Sequence, residues 1–88
     1  MISHTNSSFW KAYEKLSPLM KAKAREVYLL GEKNSGHNSL QFRQVHPEKP
    51  VYSVRIEKNH RVLGIRNGEY MIWFWIGSND QFNELLAR

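Results

Sequence analysis

Apolar residues recur at helical spacing in the first third of this chain and at strand spacing in its last half. Phe9, Tyr13 and Leu16 fall on one stripe with Trp10 beside it, and Lys11, Glu14 and Lys15 fall outside it. That spacing predicts a helix over residues 8–16. Ser17-Pro18 marks a boundary. Serine is a favoured N-cap, and proline fits a first helical turn because its missing N–H has no partner there. A second helix over residues 18–30 follows, with Met20, Ala24, Val27 and Tyr28 as its buried stripe and Gly31 as its C-cap residue. The two helices should form an antiparallel hairpin.

Residues 31–39 are turn formers throughout. Strand-like segments cover residues 40–45, 51–57, 61–66 and 70–76. His46-Pro47-Glu48-Lys49-Pro50 reads as a loop, because its prolines cannot donate to a ladder. Asn67-Gly68 is a two-residue hairpin signal, and Lys58-Asn59 sits at the other turn. A last helix starts at Ser78, where Ser78 and Gln81 have capping-box spacing. Phe82, Leu85 and Leu86 form its apolar face. Residues 1–6 are polar and either fray or add a short edge strand. The expected fold is α+β, a single domain over residues 1–88. A helical hairpin packs on a four-stranded antiparallel sheet, and a short C-terminal helix follows.

The hairpin signal sets an expected register in which Arg66 pairs with Glu69, Gly64 with Met71 and Val62 with Trp73. One face then carries Tyr52, Val54, Ile56, Leu63, Ile65, Tyr70, Ile72, Phe74 and Ile76, broken only by Arg61. The other carries Ser53, Arg55, His60, Arg66, Met71, Trp73 and Trp75. Arginines meet phosphates bidentately and indoles stack on bases, so this second face reads either as a binding surface or as plain core under the last helix. Arg61 toward the core would be costly. A bulge around residues 57–60 would turn it over to join Arg55.

Thirteen Lys and Arg against eight Asp and Glu give a net charge of +5. That is a solvated basic surface, a footprint for nucleic acid, or a surface for an acidic partner. No cysteine is present, which removes disulfides and thiolate metal sites and fits a cytoplasmic protein. The longest apolar run, residues 71–76, is far short of the roughly twenty residues of a membrane span. The N-terminus shows no signal-peptide pattern. The glycines are scattered rather than gathered in a phosphate loop. His37 and His46 do not stand at ligand spacing, and no Ser-His-Asp arrangement emerges. No cofactor is expected.

Across residues 8–88 the chain resembles the RelE/ParE superfamily of type II toxin–antitoxin toxins. The resemblance rests on Phe9, Tyr13, Leu16 and Pro18, then Leu40 with Phe42-Arg43, then Tyr52-Ser53-Val54-Arg55-Ile56 and His60-Arg61-Val62-Leu63-Gly64. It closes on residues 73–77 followed by a helix. The family usually has Tyr-Arg where this chain has His60-Arg61. The resemblance implies a toxin neutralised by a cognate antitoxin of acidic or amphipathic character. RelE-like members cleave mRNA on the ribosome without a metal, and ParE-like members poison DNA gyrase. It further implies RNA contact at Arg55 and at Ser53, which stands at a second, usually basic position. Arg61 matches the arginine that stabilises phosphate charge.

Asn79 stands where close relatives carry histidine, and Phe82 where a tyrosine is expected. Metal-free RNA cleavage needs a base for the 2′-OH, charge stabilisation and an acid for the leaving oxygen. Arg55 and Arg61 supply the charge; Asn79 and Phe82 do not exchange protons near neutrality. His60 is the best substitute. Arg43 and Arg66 are expected to hold phosphate, Trp73, Trp75 and Phe82 to line the RNA path, and the turn Gly77-Ser78-Asn79 to place its backbone. Three readings follow: an mRNA endonuclease, a gyrase inhibitor, or a degenerate toxin that only binds its antitoxin.

Overall fold

A computed structural model describes residues 2–33 and 43–87. The elements run β1 (Ile2–Thr5), α1 (Ser7–Glu14), α2 (Pro18–Lys33), β2 (Arg43–Gln44), β3 (Val51–Glu57), β4 (His60–Asn67), β5 (Tyr70–Ser78) and α3 (Asn79–Leu86). The class is α+β as expected, but the sheet has five strands, in the order β1-β5-β4-β3-β2. The added strand is β1, which lies parallel to β5 and pairs Ile2 with Tyr70 through Thr5 with Trp73. The polar N-terminal residues are thus an edge strand.

Side-chain caps start the helices. The Asn6 carboxamide oxygen accepts the Phe9 N–H at 3.0 Å, and Ser17 Oγ accepts the Met20 N–H at 3.2 Å. The expected capping box is present: Ser78 Oγ accepts the Gln81 N–H at 3.2 Å and Gln81 Oε1 accepts the Ser78 N–H at 3.0 Å. The second helix does not stop at Gly31 but continues to Lys33. A glycine costs a helix only about 1 kcal/mol relative to alanine, so one near the end need not terminate it. The expected turn at His37 and the first residues of the 40–45 strand, Leu40 and Phe42 included, lie outside the described residues.

Two bulges redistribute the side chains. Between β3 and β4, Arg55 pairs with Arg61 but Glu57 pairs with His60, so Ile56 is one residue too many. Between β4 and β5, Gly64 pairs with Trp73 but Leu63 pairs with Trp75, leaving Phe74 as the extra residue. The hairpin loop is Gly68-Glu69 rather than Asn67-Gly68: Asn67 pairs with Tyr70, and Gly68 has φ +61°. A glycine of positive φ at the first loop position suits a hairpin turn of the II′ kind. The expected pairings of Gly64 with Met71 and Val62 with Trp73 are therefore not made.

The helical hairpin covers the face that carries Val54, Met71, Trp73 and Ile76, which pack with Phe9, Tyr13 and Ala24. This overturns half of the expected core. Ile65, Tyr70 and Ile72 are exposed, and Met71 and Trp73 are buried in their place. The reason is the bulge at Ile56, which shifts alternation on β4 and β5 by one residue against β3. Gly64 lets Trp73 lie flat against the strand, because a Cβ there would fall 2.6 Å from Trp73 Cε3.

Candidate functional site

The other face of the sheet gathers arginines. Ser53, Arg55 and Arg61 alternate onto it from β3 and β4, and Arg43 stands opposite Ser53 on β2. Arg61 is held from three sides. Its Nη1 donates to Ser53 Oγ at 3.1 Å and its Nε donates to Asn79 Oδ1 at 3.2 Å. Its guanidinium lies over the Phe82 ring, 5.4 Å from the centroid, within cation–π range. Burial pushes the Arg61 pKa below the usual arginine value, and the neighbouring charges of Arg55 and Arg43 push it the same way. The guanidinium stays charged at any biological pH. Among the described residues, no acid forms an ion pair with Arg43, Arg55 or Arg61. Like charges brought together without counter-charge cost stability, and such a cluster is a marker of a site that awaits an anion.

Several predicted contact residues prove to be the cradle rather than the surface. Ser53 is fully buried and serves Arg61 as an acceptor. Phe82 is 8% exposed and supports the guanidinium from below. The Asn79 carboxamide is spent on both sides, accepting from Arg61 and donating from Nδ2 to the Lys58 carbonyl at 2.9 Å. Its backbone N–H donates to the Asn59 carbonyl at 2.7 Å. The N–H groups of Ser78 and Gln81 are consumed by the capping box. The expected anion-binding turn at Gly77-Ser78-Asn79 therefore has three of its donors engaged and is no open nest.

The remaining predicted residues separate. Trp73 belongs to the core under the helices, 7% exposed, and its ring is not available for stacking. Trp75 lies beyond the Phe74 bulge, pairs with Leu63, and lays its ring over Gly77 at the end of the sheet, away from the arginine cluster. Arg66 sits at the far end of β4, pairs with Met71, and donates from Nε to the Gly68 carbonyl at 3.2 Å. Five strand positions from Arg61 correspond to about 16 Å, so Arg66 does not join the cluster. His60 neighbours Arg61 in sequence but alternates to the opposite side, where its Nδ1 lies 2.6 Å from Glu57 Oε1. Glu57 was not anticipated. Its carboxyl is held below the ordinary range, first by the hydrogen bond to His60 and then by the Asn59 N–H. The one sequence signal for it was its position across a two-residue turn from a histidine. Among the described residues no three His, Cys, Asp or Glu side chains converge as metal ligands would. No described helix is long and apolar enough to cross a membrane.

A family model described as a ParE-like toxin domain matches residues 18–84. No curated protein matches the chain by sequence. Among solved structures, the chain is similar to one in the RelB–RelE antitoxin–toxin complex from Methanococcus jannaschii, with 13% identity, 93% of this chain and 96% of that chain covered, and a TM-score of 0.73. It is similar to the YoeB/ParE toxin from Agrobacterium tumefaciens at 15% identity, with 90% and 99% covered and a TM-score of 0.68. It is also similar to a copper-bound mutant toxin from Helicobacter pylori at 20% identity, with 92% and 97% covered and a TM-score of 0.70. At these identities the likeness is one of fold.

Proposed function

The chain belongs to the ParE-like toxin family, within the RelE/ParE superfamily of toxin–antitoxin toxins, and from that premise we propose that it acts on the phosphate backbone of mRNA at the ribosome. The observation that carries this reading is the cluster of Arg43, Arg55 and Arg61 on one sheet face, with Arg61 preorganised by Ser53, Asn79 and Phe82. A guanidinium held in place before substrate arrives stabilises the extra negative charge of a phosphorane without reorganising at the moment of reaction. Arg61 and Arg55 are the catalytic residues of this reading, and Arg43 holds a flanking phosphate. Proton transfer is left to groups the ribosome brings, because Asn79 and Phe82 are committed to Arg61. The cognate partner is an antitoxin of acidic or amphipathic character. It suits a chain of net charge +5 whose helical hairpin exposes Trp10, Leu19 and Leu29.

Inducing expression and mapping mRNA 5′ ends tests the reading. Wild type should give codon-periodic ends, and Arg61→Ala should lose them while keeping its fold by circular dichroism. Persistence of the cuts in that variant would refute the role of Arg61. A second reading, a ParE-like gyrase inhibitor, is favoured by the lack of a proton-exchanging side chain around Arg61 among the described residues. Inhibited supercoiling with intact mRNA would select it.

A further inference from the structure

β1 stops pairing with β5 at Trp73, so residues 74–78 of β5 have no strand on that side. The first turn of α1 is tied to this open edge, where Ser8 Oγ donates to the Phe74 carbonyl at 2.6 Å, and the corner between α1 and α2 stands near Trp75 at the sheet end. Between corner and sheet end lies a cavity of about 260 Å³, bordered by Lys15, Leu16, Ser17, His60, Trp75 and Gln81. That is below the roughly 300–1,000 Å³ of pockets for drug-sized ligands, and it suits one flat ring system.

Three features show a built site. The Trp75 indole and the Gln81 amide meet over Gly77. A Cβ there would lie 2.5 Å from Trp75 Cζ2 and 2.6 Å from Gln81 Oε1, so only glycine admits both. The capping box fixes the Gln81 amide, since Oε1 accepts the Ser78 N–H and Nε2 keeps its two hydrogens for a ligand. Glu57 fixes the His60 ring in the same way. With the carboxylate 2.6 Å from Nδ1, that nitrogen carries a proton, which fixes the ring and leaves Nε2 for a ligand. The cavity thus offers an aromatic wall, an oriented amide donor, an oriented imidazole nitrogen and the Lys15 ammonium.

We propose that this cavity binds a single nucleobase of an RNA strand, stacked on Trp75, with its edge bonded to Gln81 Nε2 and His60 Nε2 and its phosphate drawn to Lys15. The proposal rests on RNA as the target and adds a site distinct from the arginine cluster. Arg61 and His60 are neighbours on β4, so a strand crossing the end of the sheet would pass from one to the other. Every nucleobase shows a donor beside an acceptor, so the bases are compared by experiment.

The test follows the Trp75 indole N–H by NMR while the full-length protein is titrated with AMP, CMP, GMP and UMP, with ribose 5-phosphate as control. At least one nucleotide should shift the Trp75 signal and ribose 5-phosphate should not. The Trp75→Ala variant, followed through the His60 ring signals, should bind about 5- to 150-fold more weakly, the range for loss of one base stack. Gln81→Glu keeps the capping box and the fold but removes the donor, and it should weaken binding in the same assay. Equal shifts with ribose 5-phosphate, or unchanged binding in Gln81→Glu and Trp75→Ala, would overturn the pocket. If wild type cuts mRNA while no nucleotide moves Trp75, the pocket fails and the endonuclease reading stands. If nucleotides bind at Trp75 and no mRNA is cut, the reverse holds. Arg61→Ala should lose cleavage but keep nucleotide binding.

Discussion

Arg61 shows how a charged side chain is made into a tool. Ser53 Oγ and Asn79 Oδ1 take separate N–H groups of one planar fork while Phe82 supports its face. A lysine has the charge but not the fork, and its single ammonium does not span both acceptors and stack. Arg61→Lys should therefore lose nearly as much activity as Arg61→Ala, read by mRNA end mapping and growth after induction. Full toxicity in the lysine variant would mean that charge alone is enough. At the turn between β3 and β4, the Glu57 carboxyl titrates below its ordinary value in the folded protein. A depressed carboxyl contributes stability that is complete above the unfolded value and lost as pH falls toward the folded one. Urea midpoints of wild type should drop through that acid window, and Glu57→Gln should flatten the drop. An equal acid slope in both proteins would show that the pair does not contribute.

The elements owe their arrangement to close contacts as much as to hydrophobic pattern. Gly64 makes one of these within the core, with Met71 Sδ 2.8 Å and Trp73 Cε3 2.6 Å from where a Cβ would stand. Gly64→Ala should destabilise the domain by about 1–3 kcal/mol in urea unfolding, the usual cost of overpacking a core. A stability within error of wild type would mean that Trp73 moves aside at little cost. The helices, β3 and the capping box of α3 were legible in the sequence because each is a local pattern: a 3.6-residue stripe, an alternating run, a serine three positions before a glutamine. The faces of β4 and β5 were not. One inserted residue at Ile56 and one at Phe74 reverse the alternation, and neither leaves a mark in composition. Within the site, Arg55 and Arg61 were identified as a pair through the family resemblance. The cradle roles of Ser53, Asn79 and Phe82 depend on strand register and helix docking, which no local pattern encodes. His60 and Trp73 were misplaced for the same reason.

At the scale of the whole molecule, three arginines, Arg43, Arg55 and Arg61, are gathered on one face of the sheet, and Arg66 stands apart at its far end. Three phosphate contacts on single-stranded RNA release about two counterions, since each contributes roughly 0.7 to the salt slope. A plot of log affinity against log salt for an RNA oligonucleotide should have a slope near −2, falling by about 0.7 on Arg55→Ala. A slope near zero would remove RNA backbone binding from this face.

The parallel pairing of β1 with β5 also bears on when the protein becomes whole. Ile2 through Thr5 are synthesised 68 positions ahead of their partners Tyr70 through Trp73. At translation speeds of about 5–20 residues per second, the first strand waits roughly 3–14 s for its mate. Until then the helical hairpin lacks the sheet that buries Phe9 and Tyr13. The sheet therefore closes only when β5 arrives to join β1 to β4.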